Sequence, residues 1–231
     1  MVKHPGARRT RREQRDEPDD VFLAKVLEMG KWATSNQQVL TVLGVVAAIV
    51  IAGVIYYGNY QGALTQQAAA QLESVHQSIS ISDPEGAKDE LITFLERFGG
   101  TAYEGEARLL LGDLYLNSGE PQQAQAVLEP LGASPRDPID FQGATLLGAA
   151  YEEDGRLSEA EEVYLRIADR SDLDFQVIDA LTSAARIRAD QNNAEGAIEL
   201  YERALDLLDE TSPDRGLFEM RVEELRLQLA T

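Results

Sequence analysis

Two histidines, forty carboxylates and no cysteine bound the chemistry open to this 231-residue chain. His4 sits in an arginine-rich opening stretch and His76 lies 72 positions later. One imidazole per region can neither share a metal with a second nor serve a nucleophile as its base. With no thiol there are no disulfides, thiolate zinc sites or cysteine nucleophiles. No phosphate-cradling glycine loop, G-x-S-x-G elbow or calcium loop occurs. The acids are placed as Glu159, Glu161 and Glu162 are, crowded along a helix as a solvated face. The sequence therefore predicts a non-enzymatic protein with no cofactor and no metal, whose residues work by recognition.

Charge narrows the partner. Residues 1–38 carry 8 Lys/Arg against 6 Asp/Glu, whereas residues 39–231 carry 13 against 34. So acidic a body repels nucleic acid and anionic headgroups, which leaves proteins as its partners.

The residues that recognise a partner must be held by the elements around them, and one stretch divides those elements. Val39 to Tyr57 is nineteen residues without a charge or a proline. As a helix it spans roughly 30 Å, the thickness of a bilayer core. Lys25 and Lys31 precede it closely, while the next positive residue after it is Lys88. That asymmetry predicts a cytoplasmic N-terminus and a body across the membrane. Trp32 on one side and Tyr56, Tyr57 and Tyr60 on the other make aromatic belts. The apolar run is longer than a signal-peptide core, and Ala68-Ala69-Ala70 falls too late for a cleavage site, so an uncleaved anchor is expected. Gly44, Ala48 and Ala52 share one face, a spacing that lets a partner span approach closely, although small residues are common in such helices anyway.

Four regions follow. Residues 1–19, with Arg8, Arg9, Arg11, Arg12 and Arg15, are expected to be a disordered basic arm that sets topology or meets anionic lipid or RNA. Residues 20–37 read as an amphipathic juxtamembrane helix, N-capped by Asp20, with Phe22, Val26, Met29 and Ala33 at helical spacing. Residues 38–60 are the span. Residues 61–231 are a helical domain that starts with a stalk, which Ser82-Asp83-Pro84-Glu85-Gly86 ends.

Within that domain one pattern recurs. Leu111-Gly112, Tyr115, Ala124 and Leu128 are followed at the same offsets by Leu147-Gly148, Tyr151, Ala160 and Tyr164. A third copy has Ala184-Ala185, Ala197, Tyr201 and Ala204, with Arg188 in place of the tyrosine. Ala124, Ala160 and Ala197 are 36 and 37 apart, and Ala87 lies 37 upstream in a degenerate leading copy. A sustained period of this length predicts a solenoid of helical hairpins. The turns Asn117-Ser118-Gly119, Glu153-Asp154-Gly155 and Asp190-Gln191-Asn192-Asn193 reverse the chain. Gly112, Gly148 and Ala185 on one helix and Ala124, Ala160 and Ala197 on the other are small where the pair crosses. Pro213 to Leu229 reads as an amphipathic capping helix through Leu217, Met220, Val222, Leu225 and Leu229.

At these residues the chain resembles the tetratricopeptide repeat family. The tryptophan usual in its first helix is replaced here by Arg108, Ala144 and Leu181. The expected fold class is all-α, a single N-terminal transmembrane helix followed by a tetratricopeptide-like α-solenoid. The layout is also similar to the single-pass, tetratricopeptide-repeat ancillary subunits of the bacterial Sec translocon, which share a fold family with a cell-division coordinator. The matching features are the helix from Phe22 to Trp32, the span, the stalk, and Phe98-Gly99-Gly100-Thr101-Ala102-Tyr103 leading into Ala107-Arg108-Leu109-Leu110-Leu111.

This resemblance implies a concave groove lined by the first helix of each pair, at Asp113 and Asn117, at Gln142, Thr145 and Glu152, and at Arg186 and Asp190. Their mixed, mostly acidic character suggests a polar or basic ligand; the plainer alternative is that they are ordinary exposed helix residues. The expected function is a non-catalytic accessory of the bacterial inner membrane with its domain in the periplasm or outside, recruiting a chaperone or secreted polypeptide to secretion-channel subunits. Two other roles fit the same pattern: a scaffold for envelope assembly or cell division, and a regulatory subunit of a membrane enzyme.

Overall fold

The computed structural model describes residues 35–80 and 83–230, with Lys25 and Leu27. The expected basic arm lies outside the described residues, as do Asp20, Phe22, Val26, Met29 and Trp32 of the expected juxtamembrane helix. Nine helices account for the described residues 37–229, with no strand among them: α1 (Gln37–Ser80), α2 (Pro84–Phe98), α3 (Glu104–Asn117), α4 (Pro121–Gly132), α5 (Pro138–Glu153), α6 (Leu157–Arg170), α7 (Asp174–Asp190), α8 (Ala194–Leu207) and α9 (Arg215–Leu229). The chain divides into two compact units, residues 1–60 and 61–231, so α1 contributes to both.

In the first unit, residues 37–60 are unbroken helix. Val42, Ile49 and Val54 are exposed, and among the described residues none of the apolar window is buried. The hydroxyl of Thr41 donates to the Gln37 carbonyl at 2.8 Å, which satisfies a polar group inside the apolar run. The helix is long and apolar enough to cross a membrane.

The second unit is a stack of antiparallel helix pairs. Three of them, α3/α4, α5/α6 and α7/α8, turn at residues with positive φ: Gly119 (71°), Gly155 (75°) and Asn192 (62°). A helix that must reverse at once ends in the left-handed region, which glycine enters freely and asparagine tolerates. New helices start at caps. The Asp83 carboxylate accepts from the Gly86 N–H at 3.0 Å, Asp137 from the N–H groups of Ile139 and Asp140, and Asn193 from Gly196.

At the crossings the small residues stand where the spacing predicts. Ala124, Ala160 and Ala197 are completely buried. A Cβ on Gly112 would come within 2.5 Å of the Leu128 side chain, and one on Gly148 within 2.6 Å of the Tyr164 ring. The leading copy is real as well. Ala68, Leu72 and Val75 of α1 form a core with Leu91, Phe94 and Phe98 of α2 and with Ala107 and Leu111 of α3. A second core runs from Ala124 in α4 to Leu225 in α9.

Polar bonds of about one repeat in reach tie each pair to the next. Lys88, only 4% exposed, donates to Glu120 at 2.6 Å. Gln122 donates to Asp154, Arg156 to Gln125, and Arg166 to the Gly132 carbonyl, where a cation meets the C-terminal end of α4. Of the positions that lack the usual tryptophan, Ala144 and Leu181 are buried, while Arg108 pairs with Glu104 at 2.8 Å. Arg188, in place of the tyrosine, pairs with Glu161 at 2.7 Å.

The last helix departs from the expected register. It begins at Arg215 and buries Phe218, Val222 and Leu225, leaving Leu217, Met220 and Leu229 exposed. Phe218, Val222 and Leu225 follow the i, i+4, i+7 stripe of one helical face, whereas the expected set mixed two faces. Tyr201 of α8 fixes the choice, its ring 6.0 Å from that of Phe218.

Candidate functional site

The first helices α3, α5 and α7 leave an open groove of about 500 Å³. Leu109, Leu110 and Asp113 come from α3, and Phe141, Gln142, Thr145 and Leu146 from α5. Phe175, Gln176, Asp179, Ala180 and Ser183 come from α7, and Tyr164 and Ile167 of α6 also line it. Phe175 is 61% exposed although it is a large aromatic. The groove exists because consecutive hairpins stack with their first helices on one side of the array.

The predicted site residues divide among three settings. Asp113, Gln142 and Thr145 line this groove, and the Thr145 hydroxyl donates to the Phe141 carbonyl at 3.0 Å. Asn117 stands outside it and donates to the Asp113 carboxylate at 3.0 Å. Arg186 and Asp190 line a second cleft of about 360 Å³ with Tyr201, Arg221 and Glu224. Glu152 bonds one residue of each cleft: it accepts from the Tyr164 hydroxyl at 2.8 Å and pairs with Arg186 at 2.7 Å. Burial, and then the bond to Glu152, push the Tyr164 phenol well above its ordinary range, so it remains a donor. A polar row along one continuous surface is therefore, in the folded chain, an apolar-floored groove, a polar cleft, and an ion pair that bonds to both.

Leu110, Phe141, Leu146, Phe175 and Asp179 are groove residues that the repeat pattern did not nominate. A signal for two of them exists. Phe141 and Phe175 are 34 apart, each in the opening turn of a first helix. Of the two acids in the groove, Asp179 has its carboxyl raised above the ordinary aspartate value, first by burial and then by nearby Asp214. Among the described residues no cation pairs with Asp113 or Asp179. His76 meets Glu106 at 3.3 Å across the α1/α3 contact. Among the described residues no group of three or more His, Asp or Glu is placed to hold a metal.

The Tetratricopeptide repeat-like domain matches residues 30–227, which run through the stack to Leu227 in α9. The chain belongs to that family. No curated protein matches this tetratricopeptide repeat-like chain. Solved structures do. A tetratricopeptide repeat protein from Parabacteroides merdae ATCC 43184 aligns with TM-score 0.58 and 16% identity, covering 71% of this chain and 61% of that one. This chain thus spans about three fifths of that protein's length. MamA (residues 41 to the end) from Desulfovibrio magneticus RS-1 aligns with TM-score 0.54 and 16% identity, covering 71% and 85%. Identities this low establish the shared tetratricopeptide-like fold and nothing finer. Tetratricopeptide repeats serve as scaffolds for contact between proteins.

Proposed function

We propose that this protein is a non-catalytic scaffold of the bacterial inner membrane, anchored through residues 38–60, whose repeat groove holds a polypeptide partner. The observation that carries the reading is the groove. Its floor joins Phe175, 61% exposed, to the half-buried Phe141 and Leu146, in a domain whose other large side chains are mostly packed away, and apolar surface left open in a groove marks a binding face. The anchor is supported by the uncovered apolar length of α1 and by the lysines that precede it. Service to a secretion channel is supported by the resemblance of the layout to the ancillary subunits of the Sec translocon. Confinement beside a channel raises the local concentration of the bound partner, so a weak groove suffices.

A photocrosslinking residue placed at Phe141 or Phe175 in living cells tests this. Secreted clients together with channel subunits are the expected products. Division or wall-building proteins would instead make it an envelope scaffold, and a single stoichiometric enzyme a regulatory subunit. No product from either position would end the groove reading. Protease added to intact spheroplasts should cut the region beyond Tyr60.

A further inference from the structure

We propose that the groove between α3, α5 and α7 selects a segment of another protein that carries two or more large apolar side chains flanked by lysine or arginine. This rests on the reading of the groove as a polypeptide-binding surface and adds the chemistry of what it takes.

The lining residues specify both halves of that chemistry. Leu110, Phe141, Leu146 and Phe175 supply apolar surface from the first helices of three successive pairs, and Phe175 stands largely in solvent. A wholly polar segment would leave that surface wet. Asp113 on α3 and Asp179 on α7 supply carboxylates from two different walls. Among the described residues no lysine or arginine lines the groove, and the remaining polar lining residues are neutral. A wholly apolar segment would desolvate Asp179 with no countercharge, and Asp113 with only the Asn117 amide as donor. An acidic segment would meet like charge locally and, at longer range, the field of a region with 34 acids against 13 bases. An apolar segment with flanking cations satisfies every lining group at once. The raised carboxyl of Asp179 agrees, since the repulsion from Asp214 that contributes to it is what an incoming cation would relieve.

The test uses the full chain in nanodiscs of zwitterionic lipid, with empty discs as control. Three fluorescent twelve-residue peptides serve as probes: one with leucine and phenylalanine interleaved with lysines, one with those lysines changed to glutamate, and one with the apolar residues changed to serine. The first should bind, and each of the others at least about tenfold more weakly. Asp113→Asn combined with Asp179→Asn should weaken the first peptide roughly three- to tenfold and flatten its salt dependence. Phe175→Ala, at an exposed position, should weaken it while the melting temperature holds. Equal binding of the lysine and glutamate peptides, or no response to either set of variants, overturns the proposal. If photocrosslinks at Phe141 still form with cellular polypeptides in that event, the groove reading survives and only its chemistry is wrong. If neither peptides nor crosslinks are found, both fall.

Discussion

Asp179 shows what a binding face asks of a single residue. Its carboxyl is raised by burial and by Asp214, above an ordinary value of 3.8. A carboxyl that holds its proton more tightly in the fold than out of it makes its charged form a burden at neutral pH. That burden fades as the pH falls through the raised value. Asp179→Asn should therefore raise the melting temperature at about pH 7 and make less difference at about pH 4, even as it weakens a cationic ligand. Glu104 has the opposite sign. The Gly100 N–H donates to it at 2.6 Å and depresses its carboxyl below the ordinary 4.5, against partial burial and with help from Arg108. Its contribution is complete above the ordinary value and is lost as the pH falls through the lowered one. Glu104→Gln should narrow the gap in thermal stability between about pH 6 and about pH 3, read by circular dichroism.

At the level of the helical hairpin, the turn decides more than its composition suggests. Gly119, Gly155 and Asn192 occupy equivalent places with φ of 71°, 75° and 62°. Gly155→Val should cost about 1–2 kcal/mol in chemical denaturation, whereas Asn192→Gly should change stability by no more than a few tenths. These turns, and the buried alanines at the crossings, were legible in the sequence because backbone handedness and close approach each admit few residue types. The buried face of α9 was not legible. Leu217 and Met220 are as apolar as Phe218 and Val222, and only the position of Tyr201 on the neighbouring helix selects between the two stripes. The groove was legible in part for a related reason. Asp113, Gln142 and Thr145, named by resemblance to tetratricopeptide domains, line the groove, but the pairing of Glu152 with Tyr164 and Arg186 depends on how three helices stack.

Across the molecule, the repeat domain is held by near-neighbour ties. Gln125, only 7% exposed, donates to the Ala150 carbonyl at 3.1 Å and accepts from Arg156 at 3.0 Å, so one side chain joins two successive pairs. Gln125→Ala removes both bonds, while the Ala150 carbonyl still accepts from the Asp154 N–H and Arg156 keeps Glu159, and should destabilise by about 1 kcal/mol. Amide hydrogen exchange should speed mainly across residues 104–170, the two pairs that this side chain joins, because coupling in a linear array falls off quickly with distance. The apolar length of α1 was legible in the sequence. Length does not specify what would pack on it: Gly44, Ala48 and Ala52 are exposed, and among the described residues nothing stands within 4 Å of where a Gly44 Cβ would be.

The short reach of the bonds from Lys88 to Glu120 and from Arg166 to Gly132 bears on how the chain is born. Because each hairpin is completed by the one made just before it, ordering can follow the ribosome from the first pair onward. Nothing early in the polypeptide has to wait for a distant complement to be synthesised.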